Sequence, residues 1–234
     1  MAQKKLLRFA QIKQFSNVLE YPENMQGQWH SFFRNNNPIV LELACGRGEY
    51  TVGLSQRHPE QNFIGIDIKG NRMYLGAKKA LDNKLNNAAF LRTQIEMLPA
   101  YFSADEVDDI WITFPDPHLR TSKAKKRLTH PRFLRLYQEV LKKDGNIHLK
   151  TDSTDLYIFT KKVIELYELI LVTDCNDVYV KSDLPELKIR THYEGLDIAR
   201  SNKIYHLQFK LPQHLLPDLD EQLQKFLKQT ENQQ

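Results

Sequence analysis

Short apolar runs alternate along this chain with longer stretches in which apolar residues recur at helical spacing. The apolar runs have the length and the β-branched or aromatic content of buried strands, and they cover residues 39–43, 63–67, 88–91, 108–114, 146–151 and 203–211. The periodic stretches predict helices over residues 49–58, 71–85, 131–144 and 154–169. Such alternation is typical of a parallel sheet with helices on both faces. We therefore predict an α/β fold, a doubly wound, mostly parallel seven-stranded sheet whose last strand is antiparallel and lies near the edge.

The polar flanks of the chain divide it into three parts. Residues 1–37 are predicted to form an N-terminal arm with a short helix over residues 29–34, which ends at an Asn-Asn-Asn-Pro break. Residues 38–212 form the main domain, and residues 213–234 form a helical or frayed tail. No linker and no internal repeat divides the main domain.

Composition limits the class of protein without choosing a function. The 234 residues are 41% hydrophobic and 26% charged, as expected for one soluble α/β domain, and the net charge of +4 does not by itself indicate nucleic acid. Cys45 and Cys175 cannot form a disulfide framework, and no Cys and His spacing suits a metal. No run approaches 18 apolar residues and the basic N-terminus has no apolar signal core. We expect a cytoplasmic protein without a membrane segment or a metal site.

A strand, a glycine turn, a helix and a second strand follow one another at the start of the main domain. The strand over residues 39–43 runs into a turn that contains Gly46 and Gly48, where small residues allow a close approach of the backbone to a ligand. The next strand ends on Asp67, where an acid can bind a ribose diol. This order predicts a nucleotide-type binding site.

Three residues around this turn indicate which cofactor the site accepts. Thr51 occupies the position of the third glycine that a dinucleotide-binding turn requires, and Glu49 would repel a diphosphate. Glu42, inside the first strand, suits a cationic ligand. The combination resembles class I S-adenosylmethionine-dependent methyltransferases, whose cofactor carries a sulfonium and an ammonium group but no phosphate. The residues also allow an ordinary strand–turn–helix without a ligand.

Every unusual polar residue of the main domain falls where a predicted strand ends. Gln94, Asp116 and Asp152 follow later strands, as Glu42 and Asp67 mark the first two. Ligands of doubly wound sheets bind at the carboxyl ends of the strands. We therefore predict that these five side chains meet at one site.

A dense basic cluster follows Asp116. It contains Arg120, Lys123, Lys125, Lys126 and Arg127. Such a run is either a solvated loop or, beside a binding cleft, a clamp for the phosphates of a nucleic acid.

A polar loop over residues 181–200 precedes the last predicted strand. It presents Arg190, Thr191, His192, Tyr193 and Glu194 together. The His192 and Glu194 pair allows acid–base catalysis or metal binding, but no second cluster of metal ligands supports the latter.

Read as an ordered set, these segments resemble the bacterial tRNA (guanine-N7)-methyltransferase family. The segments are ELACGRG, IGIDIKGNR, FPDPH followed by KAKKRLTHPRFL, HLKTD and RTHYEG, and the resemblance extends over residues 15–211. It implies an enzyme that transfers a methyl group from S-adenosyl-L-methionine to N7 of the variable-loop guanine, position 46 of tRNA. N7 carries no proton, so the reaction requires alignment rather than a catalytic base.

The resemblance also implies roles for individual residues. Cofactor binding falls on the glycine turn and on Glu42, Gly46, Gly48, Asp67, Gln94 and Asp116. From the chemistry of N7 we predict Asp116 as the catalytic residue, which positions the cofactor or the base rather than acting as a general base. Substrate binding falls on Arg120, Asp152, Thr191, His192, Tyr193 and Glu194. Contact with the RNA backbone is predicted from the charge run itself, for Lys123, Lys125, Lys126 and Arg127. The chain departs from the family at Gln94, His118 and Lys123, where an acid, a tryptophan and a histidine are usual.

Other functions stay open at the level of sequence. A methyltransferase of small molecules or proteins would not need the basic cluster, and a non-catalytic RNA-binding protein would not need Glu42, Asp67, Asp116 and Asp152. A nucleotide-dependent oxidoreductase is disfavoured by Thr51 and Glu49. The expected partner is tRNA, with no obligate protein partner, and the protein is expected to be a monomer or a homodimer. The N-terminal arm either packs as a strap on the sheet or contacts RNA.

Overall fold

A single sheet of eight strands organises the part of the chain that the computed structural model describes, residues 2–196 and 203–231. The strands are β1 (Val18–Glu20), β2 (Ile39–Leu43), β3 (Asn62–Asp67), β4 (Ala88–Arg92), β5 (Val107–Thr113), β6 (Leu141–Thr151), β7 (Ile170–Cys175) and β8 (Tyr205–Lys210). Their order across the sheet is β1-β4-β3-β2-β5-β6-β8-β7. All pairs are parallel except those of β8, which is antiparallel to both β6 and β7. The predicted fold class is confirmed, with eight strands in the described residues where seven were predicted.

The sequence pattern did not predict β1 and β7, and β8 does not form the edge itself, near which the last strand was expected. β1 comes from the segment predicted as an arm and pairs in parallel with β4 through three residues. β7 forms the opposite edge, so β8 lies one strand inside the sheet. Both missed strands are edge strands. β1 is only three residues long, and the apolar residues Ile170, Leu171 and Val172 of β7 directly follow the helix predicted over residues 154–169.

The described residues contain nine α-helices. These are α1 (Ala2–Ile12), α2 (Trp29–Phe33), α3 (Glu49–Arg57), α4 (Gly70–Asp82), α5 (Leu98–Tyr101), α6 (Pro131–Gln138), α7 (Thr154–Leu166), α8 (Val178–Lys181) and α9 (Asp220–Glu231). None of them combines the length and apolar character needed to cross a membrane. The helix predicted for the tail is present as α9.

The predicted extension of α6 to residue 144 is wrong. The helix ends at Gln138, and β6 begins at Leu141, which pairs with Val107 of β5. Asp109 reinforces the new strand by accepting a hydrogen bond from the backbone N–H of Asn146 at 2.7 Å. Strand pairing has overridden a sequence of good helix formers.

The N-terminal segment is a packed part of the fold. α1 lies against α4, Ile12 is fully buried, and the ring of Phe15 stacks on Tyr74 with centroids 5.3 Å apart. These contacts favour the strap interpretation of the segment.

The strand order places a topological switch point in the middle of the sheet. β2 has β3 on one side and β5 on the other, and the connections leave in opposite directions. Such a point opens a crevice at the carboxyl ends of the strands, which is where open α/β sheets bind ligands.

Candidate functional site

A cavity of about 980 Å³ opens at the carboxyl ends of β2 to β6. All five polar residues that the sequence placed at strand ends line it, namely Glu42, Asp67, Gln94, Asp116 and Asp152. Gly46, Lys126, Thr191 and Tyr193 of the predicted set also line it. The other predicted residues, Gly48, Arg120, Lys123, Lys125, Arg127, His192 and Glu194, lie outside its lining.

The two glycines of the turn between β2 and α3 serve different purposes. Gly46 and Gly48 both adopt left-handed backbone conformations, with φ of +55° and +70°. Gly46 lies at the cavity, and its N–H donates to Asp67 Oδ2 at 3.0 Å. Gly48 packs against the ring of Phe90, where a Cβ atom would clash. Gly48 therefore permits the turn, whereas Gly46 shapes the cavity.

Thr51 explains why the third glycine is absent. Its N–H donates to Glu42 Oε2 at 2.7 Å, and its hydroxyl donates to the same oxygen. The hydroxyl of Thr113, at the end of β5, donates to Glu42 Oε1 at 2.8 Å. The carboxylate of Glu42 is thus held in one orientation at the floor of the cavity.

The side chain of Glu42 changes between its charged and neutral forms near neutral pH. Burial raises the pKa of Glu42 to about 7, while the hydrogen bonds from Thr51 and Thr113 oppose that shift. A cation in the cavity would favour the charged form. Glu42 can therefore match its charge to a cationic ligand.

The ends of β3 and β4 supply further polar groups to the cavity. Asp67 Oδ1 accepts the N–H of Lys69 at 2.8 Å, which fixes the carboxylate that also receives Gly46. The exposed Gln94 lines the same wall. Next to it, Thr93 Oγ1 is a buried hydroxyl at the cavity wall that has no hydrogen-bond partner among the described residues. A ligand with a polar edge would satisfy this group.

Asp116 presents its carboxylate to the cavity from a constrained turn after β5. Its side chain is 74% exposed and stands between two prolines, and Oδ1 accepts the N–H of His118 at 3.1 Å. The flanking residues Phe114 and His118 have φ of +47° and +43°, a conformation that non-glycine residues rarely adopt and that clusters at functional sites. Burial lowers the pKa of His118, with Asp116 opposing that shift.

Arg127 is buried and does not have the phosphate-binding role that the sequence predicts for it. Only 4% of the residue is exposed, and its guanidinium lies 4.4 Å from the ring centroid of Phe159. Nε and Nη2 donate to the carbonyl oxygens of three consecutive residues, Pro117, His118 and Leu119, at 3.1–3.3 Å. The guanidinium therefore holds the turn that carries Asp116 and is not available to RNA.

Replacing Arg127 by lysine is expected to loosen this turn. An ammonium group lacks the planar fork that reaches three carbonyls at once, so we expect the turnover rate to fall by about tenfold or more. Arg57→Lys is the matched control, because Arg57 also donates to a backbone carbonyl, Gly53 O at 3.0 Å, but lies outside the cavity lining. Equal turnover of the two variants would contradict this role of Arg127.

Three lysines of the basic cluster remain exposed. Lys123, Lys125 and Lys126 lie on the short 3₁₀ segment Thr121–Lys126, and Lys126 also lines the cavity. Arg120 is exposed at the start of this segment. The cluster therefore forms one rim of the cavity, with its charges in solvent.

The loop before β8 supplies a side wall. Thr191 and Tyr193 line the cavity, and the Tyr193 ring lies 5.5 Å from Arg72 Cζ. The side chain of Glu194 instead points into the protein, where it is only 7% exposed and Oε2 lies 3.0 Å from Lys150 Nζ. Residues 197–200 of this predicted loop lie outside the described residues.

The arrangement of Glu194 corrects its predicted role. Its other carboxylate oxygen accepts the Tyr179 hydroxyl, so both oxygens are engaged within the protein. A direct contact of Glu194 with a guanine is therefore not supported.

Several residues of the site were missed by the sequence interpretation. Lys69, Arg72, Glu96, Thr113 and Arg132 line the cavity, and Arg132 pairs with Glu96 at 3.2 Å on its rim. Thr113 sits at the end of a strand, which was a usable signal, whereas the others lie on helices or turns whose direction depends on the fold. No group of three or more His, Cys, Asp or Glu among residues 2–196 and 203–231 is arranged to hold a metal ion.

Comparison with known proteins gives consistent matches over most of the chain. A family described as "Putative methyltransferase" matches residues 36–207. The tRNA (guanine-N(7)-)-methyltransferase of Porphyromonas gingivalis is 49% identical over 86% of this chain and 86% of its own length. The protein of the same name from Bacteroides thetaiotaomicron is 44% identical over 97% of this chain and 94% of its own length.

Solved structures resemble this chain in fold at low sequence identity. The 16S rRNA methyltransferase KamB aligns with a TM-score of 0.61 and 14% identity, covering 82% of this chain and 95% of its own. A 16S rRNA methyltransferase from Catenulisporales acidiphilia, solved with its cosubstrate S-adenosylmethionine, aligns with a TM-score of 0.55 and 13% identity, covering 80% and 90% of the two chains. These similarities show the fold.

Proposed function

The chain belongs to the tRNA (guanine-N7)-methyltransferase family, and from this premise we propose that it methylates N7 of the variable-loop guanine at position 46 of tRNA, with S-adenosyl-L-methionine as the methyl donor. The observation that carries the proposal is the convergence of Glu42, Asp67, Gln94, Asp116 and Asp152 on one cavity beside an exposed basic rim. An enzyme with this activity acts where tRNA is found, which agrees with a cytoplasmic location.

The residues at the turn fit this cofactor. Glu42 supplies negative charge for a cation, and Glu49 at the first turn of α3 opposes a phosphate, which this cofactor lacks. We assign Asp67 to the ribose diol, and Gln94 with the unpartnered hydroxyl of Thr93 to the adenine edge. When bound, S-adenosylmethionine supplies an electrophilic methyl group attached to a sulfonium.

The substrate side of the cavity carries the remaining acids. Guanine N7 has an available lone pair and no proton, so the protein needs no general base. We assign Asp152, which lines the cavity, to accepting hydrogen bonds from the N1–H and N2–H₂ edge, which would select guanine over adenine. We assign Asp116 to holding the reacting groups in line and to stabilising the positive charge that develops on the ring.

The basic rim provides positive charge beside the cavity with which the phosphates of a structured RNA can interact. We assign Lys123, Lys125 and Lys126, which are exposed, to the RNA phosphates. Thr191 and Tyr193, which line the cavity, and Arg120, which is exposed at its rim, are assigned to the base. A guanine that is stacked or paired in the RNA must be flipped out to enter the cavity, at a cost of about a few kcal/mol.

The deciding experiment measures the product. The protein is incubated with labelled S-adenosylmethionine and tRNA that lacks the modification, and the nucleosides are then analysed. We expect 7-methylguanosine, and no product when the variable-loop guanine is replaced by adenine. A methyl group on another nucleoside, or cofactor binding without any RNA product, would contradict the proposal.

The raised pKa of Glu42 predicts pH-dependent cofactor binding. Because its pKa is about 7 in the free protein and a cation favours the carboxylate, affinity for S-adenosylmethionine should rise from pH 6 to pH 8, by up to about tenfold per pH unit below the pKa. Calorimetric titrations of the wild type and of Glu42→Gln at both pH values isolate this contribution, since all other titrating groups are shared. The same pH dependence in both proteins would contradict the assignment.

A further inference from the structure

Lys150 is a buried lysine for which the proposed reaction has no direct use. It lies on β6, and its side chain is 0% exposed. Nζ donates to the carbonyl oxygens of Leu187 and Ile189, each at 2.9 Å, and to Glu194 Oε2 at 3.0 Å. All three donors of the ammonium group are therefore used, and all three acceptors belong to one segment, residues 187–194.

The surroundings of this ammonium group suit a cation. The ring centroids of Tyr50, Phe114 and Tyr179 lie 5.3, 5.4 and 5.9 Å from Nζ. Burial lowers the pKa of Lys150, and the carboxylate of Glu194 opposes that shift. Aromatic faces and an adjacent carboxylate offset part of the cost of burying a charge.

Glu194 connects this buried charge to the cavity wall. The carboxylate also accepts the Tyr179 hydroxyl, and the N–H of Glu194 donates to Thr191 Oγ1 at 3.1 Å. Thr191 and Tyr193, on either side of residue 192, line the cavity. Glu194, which forms the ion pair with Lys150, therefore directly follows the cavity-lining residues Thr191 and Tyr193 in the chain.

Tyr193, in the cavity-lining part of the segment, lies directly against the turn between β2 and α3 that contains Gly46 and Gly48, hereafter the cofactor turn. A Cβ atom at Gly46 would lie 3.4 Å from Tyr193 Cε2, and the Tyr193 ring also faces Arg72 of α4. The position of Tyr193 therefore sets the width of the cavity between the glycine turn and the loop. A substitution of Lys150 that breaks its ion pair with Glu194 would therefore release the neighbouring Tyr193 from its position at the cavity wall.

We propose that Lys150 is a positioning residue that holds residues 191–194 against the cofactor turn through its ion pair with Glu194. The inference rests on the proposed function, because Thr191 and Tyr193 matter for activity only if the cavity binds cofactor and guanine. An apolar residue at position 150 would leave Oε2 of the buried Glu194 carboxylate and the carbonyls of Leu187 and Ile189 without their lysine donor. This costs more than removing both partners of the ion pair.

The experiment compares Lys150→Met, Glu194→Gln and the double variant by hydrogen exchange and by kinetics. Lys142→Met is the matched control, since Lys142 lies near the start of the same strand but pairs with Asp108 in a partly exposed position away from the cavity. In Lys150→Met, we expect amide exchange in residues 187–196 to accelerate by about tenfold or more, with smaller changes in β6 and β8. We expect kcat/KM for tRNA to fall by a similar factor, and the double variant to recover at least about threefold of that decrease.

Each result separates the possible roles. Exchange that rises equally throughout β6, β8 and the segment would show a general effect on folding and would overturn the proposal. Unchanged exchange in the segment would overturn it as well. If Lys150→Met does not fold, Glu194→Gln alone carries the test, because it retains the lysine and the shape of the acid.

Failure of the proposed function would look different. Hydrogen exchange measures the position of the segment without any methyl transfer, so the positioning role is tested even if the wild type produces no 7-methylguanosine. A wild type that forms the product, beside a Lys150→Met variant of unchanged kcat/KM, would reject the positioning role alone.

Discussion

Replacing Asp116 by alanine is expected to lower the turnover rate by at least about 100-fold while the affinity for tRNA stays unchanged or rises slightly. The carboxylate projects into the cavity at the end of β5, where we place the positive charge that develops on guanine. Its removal eliminates a fixed negative charge from that position. The same removal cannot weaken the binding of phosphates, because an acid repels a polyanion.

Two further variants separate the charge of Asp116 from the geometry of its turn. Asp116→Asn retains an oxygen that can accept the N–H of His118, and should lose nearly as much activity as the alanine variant if charge is the important property. Asp144→Ala, at an exposed position near the opposite end of the sheet, is the control. Single-turnover methyl transfer and filter binding of tRNA give the two quantities. An Asp116→Ala variant with wild-type turnover would refute the proposed role.

The convergence at the cavity was predictable because strand ends are marked in the sequence. Glu42, Asp67, Gln94, Asp116 and Asp152 each stand at the end of an apolar run, and a doubly wound sheet brings such ends together. The prediction required only the periodicity of the chain and a rule of topology. No distance between the side chains had to be known.

Roles that depend on burial by other elements were not predictable. The sequence predicts Arg127 to be one charge of an exposed basic run. In the structure, the ring of Phe159 and the carbonyls of residues 117–119 surround its guanidinium. The sequence indicates no special role for Lys150, and it predicts Glu194 as a substrate-binding residue of a loop. Only the packing of that loop on β6 brings the two residues together. A local sequence pattern indicates which side of its own helix or strand a residue occupies. It does not show that Lys150 pairs with Glu194, 44 positions away, because tertiary structure brings these two residues together.

The predicted end of α6 failed for the same reason. Residues 139–144 contain good helix formers, and Gly145 resembles a helix stop. β5 lies alongside, however, and takes residues 141–151 into the sheet. Where a neighbouring strand offers a full set of hydrogen bonds, helix propensity is too weak to decide the structure.

Neutralising the three exposed lysines of the rim is expected to weaken tRNA binding by about tenfold or more at physiological salt. Lys123, Lys125 and Lys126 are exposed, and within residues 2–196 and 203–231 none of them forms a salt bridge with an acid. Their charges are therefore available to phosphates. Removing one lysine–phosphate interaction should lower the slope of log affinity against log salt by about 0.7–0.9, so the triple glutamine variant should show a slope smaller by about two to three units.

The matched control removes the same amount of charge elsewhere. Lys142, Lys143 and Lys161 are exposed lysines outside the cavity lining, and changing all three to glutamine likewise lowers the net charge from +4 to +1. If the position of the charge matters, the control variant keeps nearly the wild-type slope and the rim variant does not. Equal slopes for the two triple variants would mean that tRNA responds only to overall charge, and the phosphates would then have to bind at another surface.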